Sequence, residues 1–416
     1  MAKYSRFIDD TWSFRTANTK EYTHCYHTYP AMMIPQVART LIERYSPQDG
    51  LHTLFDPYVG SGTSLVEASI CGVDSIGTDL NPLARFISFV KTTHYNFHIV
   101  SKCFNQLYVQ LCNYHAEDVI NKNFDRISNY SFWYTEDSLL KLSYLSQVID
   151  GCEASVKDFF LLALSETVRE VSFTRNGEFK RFRMSEKSIE KFHPDVFGLF
   201  VAKVKRNMEG LAEFNKRDHN VHVNIYDFNS TNGIPEDIIG QESIDMVVTS
   251  PPYGDSHTTV AYGQFSRWAN EWFGFEHAKD LDRHLMGGGK CDRELFQTET
   301  IREELEAIKA NDEKRYWEVV SFLNDYYLSM QNVAKVIRKG GVVCYVVGNR
   351  TVKGIQIPLD FFTAETFERY GFVHKETIVR GIPNKRMPSE TSPTNIAGDK
   401  VKTMNNEYIV ILNKSE

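Results

Sequence analysis

The sequence predicts an α/β protein built on a doubly wound, mostly parallel sheet. Three observations carry that expectation. A short strand runs through a glycine loop into a helix. A second strand then ends on an acid about 20 residues beyond the loop, the usual place for a ribose-binding carboxylate. Strand signals return much later as apolar runs suited to burial on both faces.

The first 50 residues are aromatic and polar, with a helix expected over Ala31–Tyr45 before the breaker Ser46–Gly50. Leu51–Phe55 reads as the first strand and Asp56–Thr63 as the glycine loop. Ser64–Cys71 follows as a helix stopped by Gly72, and Asp74–Thr78 as a strand ending on Asp79. From Arg85 to Asn220 the alternation stops: the stretch is helical in pattern and rich in Tyr and Phe. Strands resume at Val221–Asp227 and Ile244–Thr249, and a polar helix-like section spans Gln264–Lys339. Val342–Val347 follows Gly340-Gly341, and Phe372–Val379 and Tyr408–Leu412 are joined by the proline-containing loop Gly381–Met404. This divides the chain into a first catalytic part at 1–84, a helical insertion at 85–220 and a second catalytic part at 221–416, itself interrupted near 264–339. No internal repeat is apparent.

Composition narrows the function. Of 416 residues, 47 are Lys or Arg and 54 are Asp or Glu, a formal charge of −7, which excludes a polybasic architectural protein but leaves room for a local basic surface. Hydrophobic residues make up 42%, too many for a largely disordered chain. No apolar run approaches the roughly 18 residues of a membrane span. Met1–Arg6 is not followed by the apolar stretch of a secretory signal. The seven cysteines are dispersed with no CxxC pair, so they read as reduced thiols of a cytoplasm, and no metal site is expected.

The loop Gly60-Ser61-Gly62-Thr63 lacks the lysine of a nucleoside-triphosphate loop and is tighter than GxGxxG. Asp79 can accept both hydroxyls of a ribose; its bland alternative is capping the helix after Asn81-Pro82. A nucleoside cofactor without pyrophosphate fits both features. Ser250-Pro251-Pro252-Tyr253 follows a buried strand directly. Consecutive prolines stiffen the backbone and leave carbonyls without neighbouring N–H groups. Carbonyls beside an aromatic ring suit an exocyclic amine, accepted by Ser250 and Pro251 while Tyr253 stacks on the base. The bland alternative is a rigid turn with a packed tyrosine.

Together these elements resemble the S-adenosylmethionine-dependent amino-group DNA methyltransferases, above all the cytosine-N4 branch of bacterial restriction-modification systems. Asp56–Thr63 is similar to the family's cofactor motif and Ser250–Tyr253 to its catalytic motif. The resemblance implies a Rossmann-like sheet of seven strands, mostly parallel with an antiparallel last strand, plus a helical insertion. It implies cofactor contacts from Asp56, Tyr58, Gly60, Gly62, Thr63, Asp79 and Asn81. His27–Pro35, with Tyr29 and Pro30, looks like the segment over the methionine end, and Asp227 matches the position that holds adenine. The catalytic element would be Ser250, Pro251, Pro252 and Tyr253. The cofactor motif comes first here, whereas many cytosine-N4 enzymes carry the catalytic motif first, and both helical stretches are candidates for target recognition.

An aromatic amine is a poor nucleophile, so acceptors that localise its lone pair favour direct transfer. A cytosine-C5 enzyme would need a Pro-Cys nucleophile, and no Pro-Cys occurs. The target base must leave the duplex to be reached. Arg175, Lys180, Arg181 and Arg183, within a basic run from Arg169 to Arg206, are candidate phosphate contacts, as are Lys385 and Arg386; a solvated helix face is the alternative. Gly287-Gly288-Gly289-Lys290 reads as a flexible loop that could cover the DNA backbone. The implied partners are duplex DNA with a specific site and, functionally, a cognate endonuclease, in a bacterial or archaeal cytoplasm with no membrane role. Alternatives are an adenine-N6 enzyme, which usually has Asp or Asn at the position of Ser250, an RNA amino-methyltransferase, or a catalytically silent DNA-binding relative.

Overall fold

A computed structural model describes residues 3–382 apart from 176, 218–219 and 257, and then 390–391, 401–402 and 405–415. Eight strands form one sheet: β1 (Arg6–Ile8), β2 (Thr53–Asp56), β3 (Asp74–Thr78), β4 (Val223–Tyr226), β5 (Ile244–Thr249), β6 (Ile337–Val347), β7 (Phe372–Gly381) and β8 (Asn406–Lys414), in the order β1-β7-β8-β6-β5-β2-β3-β4. Only β8 runs antiparallel, between β6 and β7. The seven expected strands are present with the expected direction of the last, and β1 adds an eighth at the edge, parallel to β7 with Arg6 opposite Thr377.

Strand burial follows the apolar pattern. All six residues of β5 are buried, as a central parallel strand covered on both faces requires. Its one acid, Asp245, accepts the N–H groups of His52 (2.9 Å) and Thr53 (2.8 Å) and pairs with Arg338. β6 begins five residues ahead of the predicted Val342 because Gly340 (φ 73°) makes a bulge, shifting the register against β5 between Ile244 and Met246. Helix α1 (Pro35–Tyr45) starts four residues later than predicted: Ala31 has φ 51°, and Pro35, whose fixed φ suits a first turn, opens the helix.

Helices α2 (Thr63–Ile70) and α3 (Pro82–Thr92) follow β2 and β3. The predicted helical insertion consists mainly of α4 (Phe97–Cys112), α5 (Glu136–Asp150), α6 (Lys157–Glu170) and α7 (Val196–Phe214). The second insertion supplies α8 (Tyr262–Phe273), α9 (Arg302–Asn311) and α10 (Glu313–Val336), and α11 (Leu359–Glu368), unforeseen in the sequence, follows β6. Helix α8 joins the first insertion: Phe265, Trp268 and Trp272 share its core, and Trp268 Nε1 donates to Thr174 Oγ1 at 2.8 Å. One sheet face packs on α1 and α2, the other on α10 and α11. The strand order reverses between β2 and β5, so their carboxyl ends open a crevice, the place where doubly wound sheets bind ligands.

Candidate active site

The glycine loop is fixed from several sides. Gly62 has φ 76°, and a Cβ there would lie 3.0 Å from the Cα of Ser88, so both conformation and close approach require glycine. Behind the loop, Ser88 donates to the carbonyl of Gly60 (2.9 Å) and Lys91 to that of Ser61 (2.7 Å). Lys91 is fully buried, and burial lowers its ammonium to about 7. Asp79 joins the loop to the next helix: one carboxylate oxygen accepts the Gly60 N–H (3.0 Å) and the other the Asn81 N–H (2.8 Å). Burial pushes its carboxyl up, and these two N–H groups oppose the rise.

Asp56 couples the loop to the Ser-Pro-Pro-Tyr element. One oxygen accepts the Tyr58 N–H (3.0 Å) and the Thr249 hydroxyl (2.5 Å), and the other accepts the Ser64 hydroxyl. Burial raises its carboxyl to about 6 despite these donors. Thr249 is the last residue of β5, so one buried side chain sets the spacing of the two loops.

Between these loops lies an open cleft whose empty space, counted out into solvent, is about 1030 Å³. Of the residues singled out in the sequence, Tyr29, Pro30, Asp56, Tyr58, Gly60, Thr63, Asp79, Asn81, Ser250 and Pro252 line it. Asn81 is a buried hub: its Nδ2 donates to Tyr29 (2.9 Å) and Ser266 (2.7 Å), while its Oδ1 caps α3 at Leu83 N–H (3.1 Å). Tyr29 stacks on Tyr262 with centroids 5.8 Å apart. The segment carrying Tyr29 is braced by the insertion. Glu166 of α6 accepts from the Thr28 N–H (3.0 Å) and hydroxyl (2.8 Å), and from Arg206 (2.9 Å). Burial would raise the Glu166 carboxyl, but His27, Arg206, Lys203 and Thr28 hold it down at about 2.

Three expectations meet a different geometry. Asp227 does not line the cleft: its side chain is 79% exposed, 3.9 Å from Arg85, and the next residues, Phe228 and Asn229, line the cleft instead. Tyr253 also lies outside the cleft lining; its hydroxyl donates to Glu407 of β8 (3.0 Å) and lies 3.2 Å from Ser250 Oγ, so it is not idle. Glu407 in turn pairs with the buried Arg380 (2.5 Å). The Gly287–Lys290 stretch is packed at its start and open at its end: Gly287 N–H donates to Asp325 (2.8 Å) and a Cβ at Gly288 would lie 2.5 Å from the Asp282 carbonyl, whereas Gly289 and Lys290 are exposed. Asp325 and Met286 also line the cleft and carried no motif to mark them, while Tyr262 lines it from Thr258–Gly263, a stretch similar to the cytosine-N4 branch.

The basic run is largely engaged internally. Arg181 stacks over Trp268 (4.8 Å) and Trp133 (5.2 Å), and Arg183 over Phe132 (4.2 Å) while pairing with Glu186. Lys203 and Arg206 are committed to Glu170 and Glu166. Arg175 is exposed, 3.6 Å from Glu178, and Lys180 is partly exposed. Lys385 and Arg386 lie outside the described residues. All seven cysteines are free thiols, and among the described residues no helix is long and apolar enough to cross a membrane.

A nucleoside-sized cleft at the switch point, walled by a glycine loop and a Ser-Pro-Pro-Tyr turn, defines a methyltransferase-like α/β site. The relatives agree. The type II methyltransferase M.MvaI of Kocuria varians is 39% identical over 438 residues, spanning 99% of this chain and 96% of that protein. M.BsoBI of Geobacillus stearothermophilus, another type II methyltransferase, is 22% identical over 436 residues, spanning 89% and 84%. The chain belongs to the type II methyltransferases. No protein-family profile matches it. Among solved structures, the rRNA methyltransferase aviRa from Streptomyces viridochromogenes covers 93% of this chain and 88% of its own at 10% identity, with a TM-score of 0.35.

Proposed function

We propose that the protein methylates the exocyclic N4 amine of a cytosine flipped out of a specific site in duplex DNA, using S-adenosylmethionine. The observation that carries this reading is that Ser250 and Pro252 share one cleft with Gly60, Asp79 and Tyr29, so a cofactor and a base can meet there. S-adenosylmethionine supplies an electrophilic sulfonium methyl. Asp79 holds its ribose, Tyr29 and Pro30 cover its methionine end, and Phe228 and Asn229 take the adenine position expected of Asp227. Ser250 Oγ and the Pro251 carbonyl accept the amine's N–H groups, turning its lone pair toward the methyl. Ser250 and Pro251 would thereby keep the amine in line with the methyl during transfer, the sulfur leaving as a neutral thioether and the amine's proton passing to water. Holding both reactants in contact supplies much of the acceleration.

Serine at position 250 favours cytosine over adenine, since adenine-N6 enzymes usually carry an acid or amide there. In this reading the enzyme acts in a bacterial or archaeal cytoplasm and protects the host's own sites from a cognate endonuclease. The helical insertion at 85–220, with α8 packed into its core, forms the DNA-facing part beside the catalytic sheet. Incubating unmethylated DNA with the purified protein and S-adenosylmethionine, then analysing the nucleosides, tests the assignment. N4-methylcytosine is expected; N6-methyladenine would replace the base assignment, and no methylated nucleoside would remove the DNA reading.

A further inference from the structure

The loop after α8 gathers three side chains that the site above does not use. His277, Asp280 and His284 place their ligand atoms within 4.8 Å of one another. His277 Nδ1 lies 3.5 Å from one Asp280 oxygen, and His284 Nε2 lies 3.2 Å from the other. The two imidazole rings are 4.2 Å apart. Ligands about 2.0–2.1 Å from a tetrahedral zinc ion stand roughly 3.3–3.4 Å from one another. The two His–Asp280 contacts, each to a different carboxylate oxygen, are near that spacing, and the whole set, within 4.8 Å, would close around an ion by small side-chain rotations. Two neutral imidazoles and one carboxylate are a borderline donor set suited to zinc-class cations, and the partial exposure of all three leaves room for water in a fourth position.

We infer that His277, Asp280 and His284 form a site for a divalent zinc-class cation on the loop that walls the cleft. The spacing, two residues and then three, matches no common zinc pattern, which is why no metal is expected from the sequence. Binding there has a structural consequence. His284, Leu285 and Met286 all line the cleft, so a cation tying His284 to His277 would fix that stretch of wall. The loop carries backbone turns, such as Asp280 N–H to the His277 carbonyl (3.2 Å) and His284 N–H to that of Leu281 (2.8 Å). It also carries side-chain ties, from the Gly263 N–H to Asp282 (2.9 Å) and from Arg267 to the Lys279 carbonyl (3.1 Å), and none of these joins the two imidazoles.

The test uses the full-length protein stripped of metal, with Zn²⁺ alone as the probe and a chromophoric chelator as competitor. One tight equivalent is expected. The double variant His277→Ala/His284→Ala should bind that equivalent at least tenfold more weakly, as should Asp280→Asn to a lesser degree, while His193→Ala, a histidine elsewhere on the chain, should match the parent. Replacing zinc by Co²⁺ should give the intense visible bands of a tetrahedral site in the parent and not in the double variant. Because all three residues are surface groups, circular dichroism of the variants should be unchanged. Parent-like zinc affinity in the double variant, or no tight equivalent in the parent, overturns the site.

Discussion

The Tyr253 hydroxyl donates to Glu407 at 3.0 Å, tying the turn after β5 to the antiparallel strand β8. Ser250 Oγ lies 3.2 Å from the same hydroxyl, so a line of polar groups leads from the cleft wall to a carboxylate anchored by Arg380. The sequence pointed to the ring of Tyr253 as a stacking platform with no role for its hydroxyl. The geometry gives the hydroxyl one: it sets where Ser250 and the ring stand.

Tyr253→Phe should therefore lower the single-turnover methylation rate by roughly fivefold, the worth of about 1 kcal/mol for one hydrogen bond. Tyr253→Ala should fall much further if the ring, partly exposed beside Ser250, reaches the flipped base, since such stacking is worth about 1–3 kcal/mol. Glu407→Gln should resemble Tyr253→Phe in rate. Cofactor affinity measured by calorimetry should stay within a factor of about two of the parent throughout. Equal rates for Tyr, Phe and Ala would leave position 253 a structural turn only.

Asp79 offers a second test. Asp79→Ala should weaken S-adenosylmethionine binding by about 1–3 kcal/mol, as expected for a charged hydrogen-bond acceptor. Since the carboxylate also accepts the Gly60 and Asn81 N–H groups, Asp79→Asn should fail to restore affinity: an amide offers only one acceptor oxygen to two donors. Full affinity in a folded Asp79→Ala variant would sink the ribose assignment.

The basic hairpin separates into binders and braces. Arg175→Ala with Lys180→Ala should flatten the slope of log K against log salt for DNA by roughly 0.9 for each phosphate no longer neutralised. Arg181→Ala should chiefly lower thermal stability, by about 0.5–2 kcal/mol for a cation–π pair partly withdrawn from water. An unchanged salt slope in the Arg175/Lys180 variant would take this hairpin off the phosphate backbone.

Acid should act through Glu166. Its folded carboxyl sits at about 2, below the ordinary 4.5, so the folded state binds fewer protons than the unfolded state between those values. The stabilisation is therefore present above pH 4.5 and is lost as pH falls toward 2. Glu166→Gln should destabilise the protein at pH 7 by about 1–3 kcal/mol, the range for hydrogen bonds to a charged acceptor, here from Arg206 and Thr28. The gap to the parent should narrow as pH falls through that window. A pH-independent gap in chemical denaturation would show that the charge is not what matters.

Much of the sheet was legible because its signals are local. β5 was bounded to the residue by an apolar run ending at Thr249, β3, whose one apolar side chain is Ile76, by its place between Gly72 and Asp79, and the antiparallel last strand followed from the family resemblance. Most proposed cleft residues come from loops at strand ends, where glycine and proline leave a mark in the sequence. What stayed hidden depends on distant partners. The roles of Glu407 and Glu166 exist only once β8 and α6 are folded against segments 154 and 138 residues away. β1 has three residues and an exposed pattern, so nothing in its sequence distinguishes it from a loop. The arginines of the basic run read as surface charge because the tryptophans beneath them come from other elements.

The placement of β8 bears on how the protein is made. Synthesis delivers β6 and β7 first, yet they do not touch each other; β8 must enter between them, and β1 joins the sheet only through β7. A nascent chain lacking residues 406–414 thus carries an open parallel edge at β6 and two strands with nowhere to dock, the kind of unpaired edge that favours aggregation. Sheet closure waits for residues 406–414, and that same stretch brings in Glu407. The tyrosine of the catalytic turn gains its partner only when the last strand arrives.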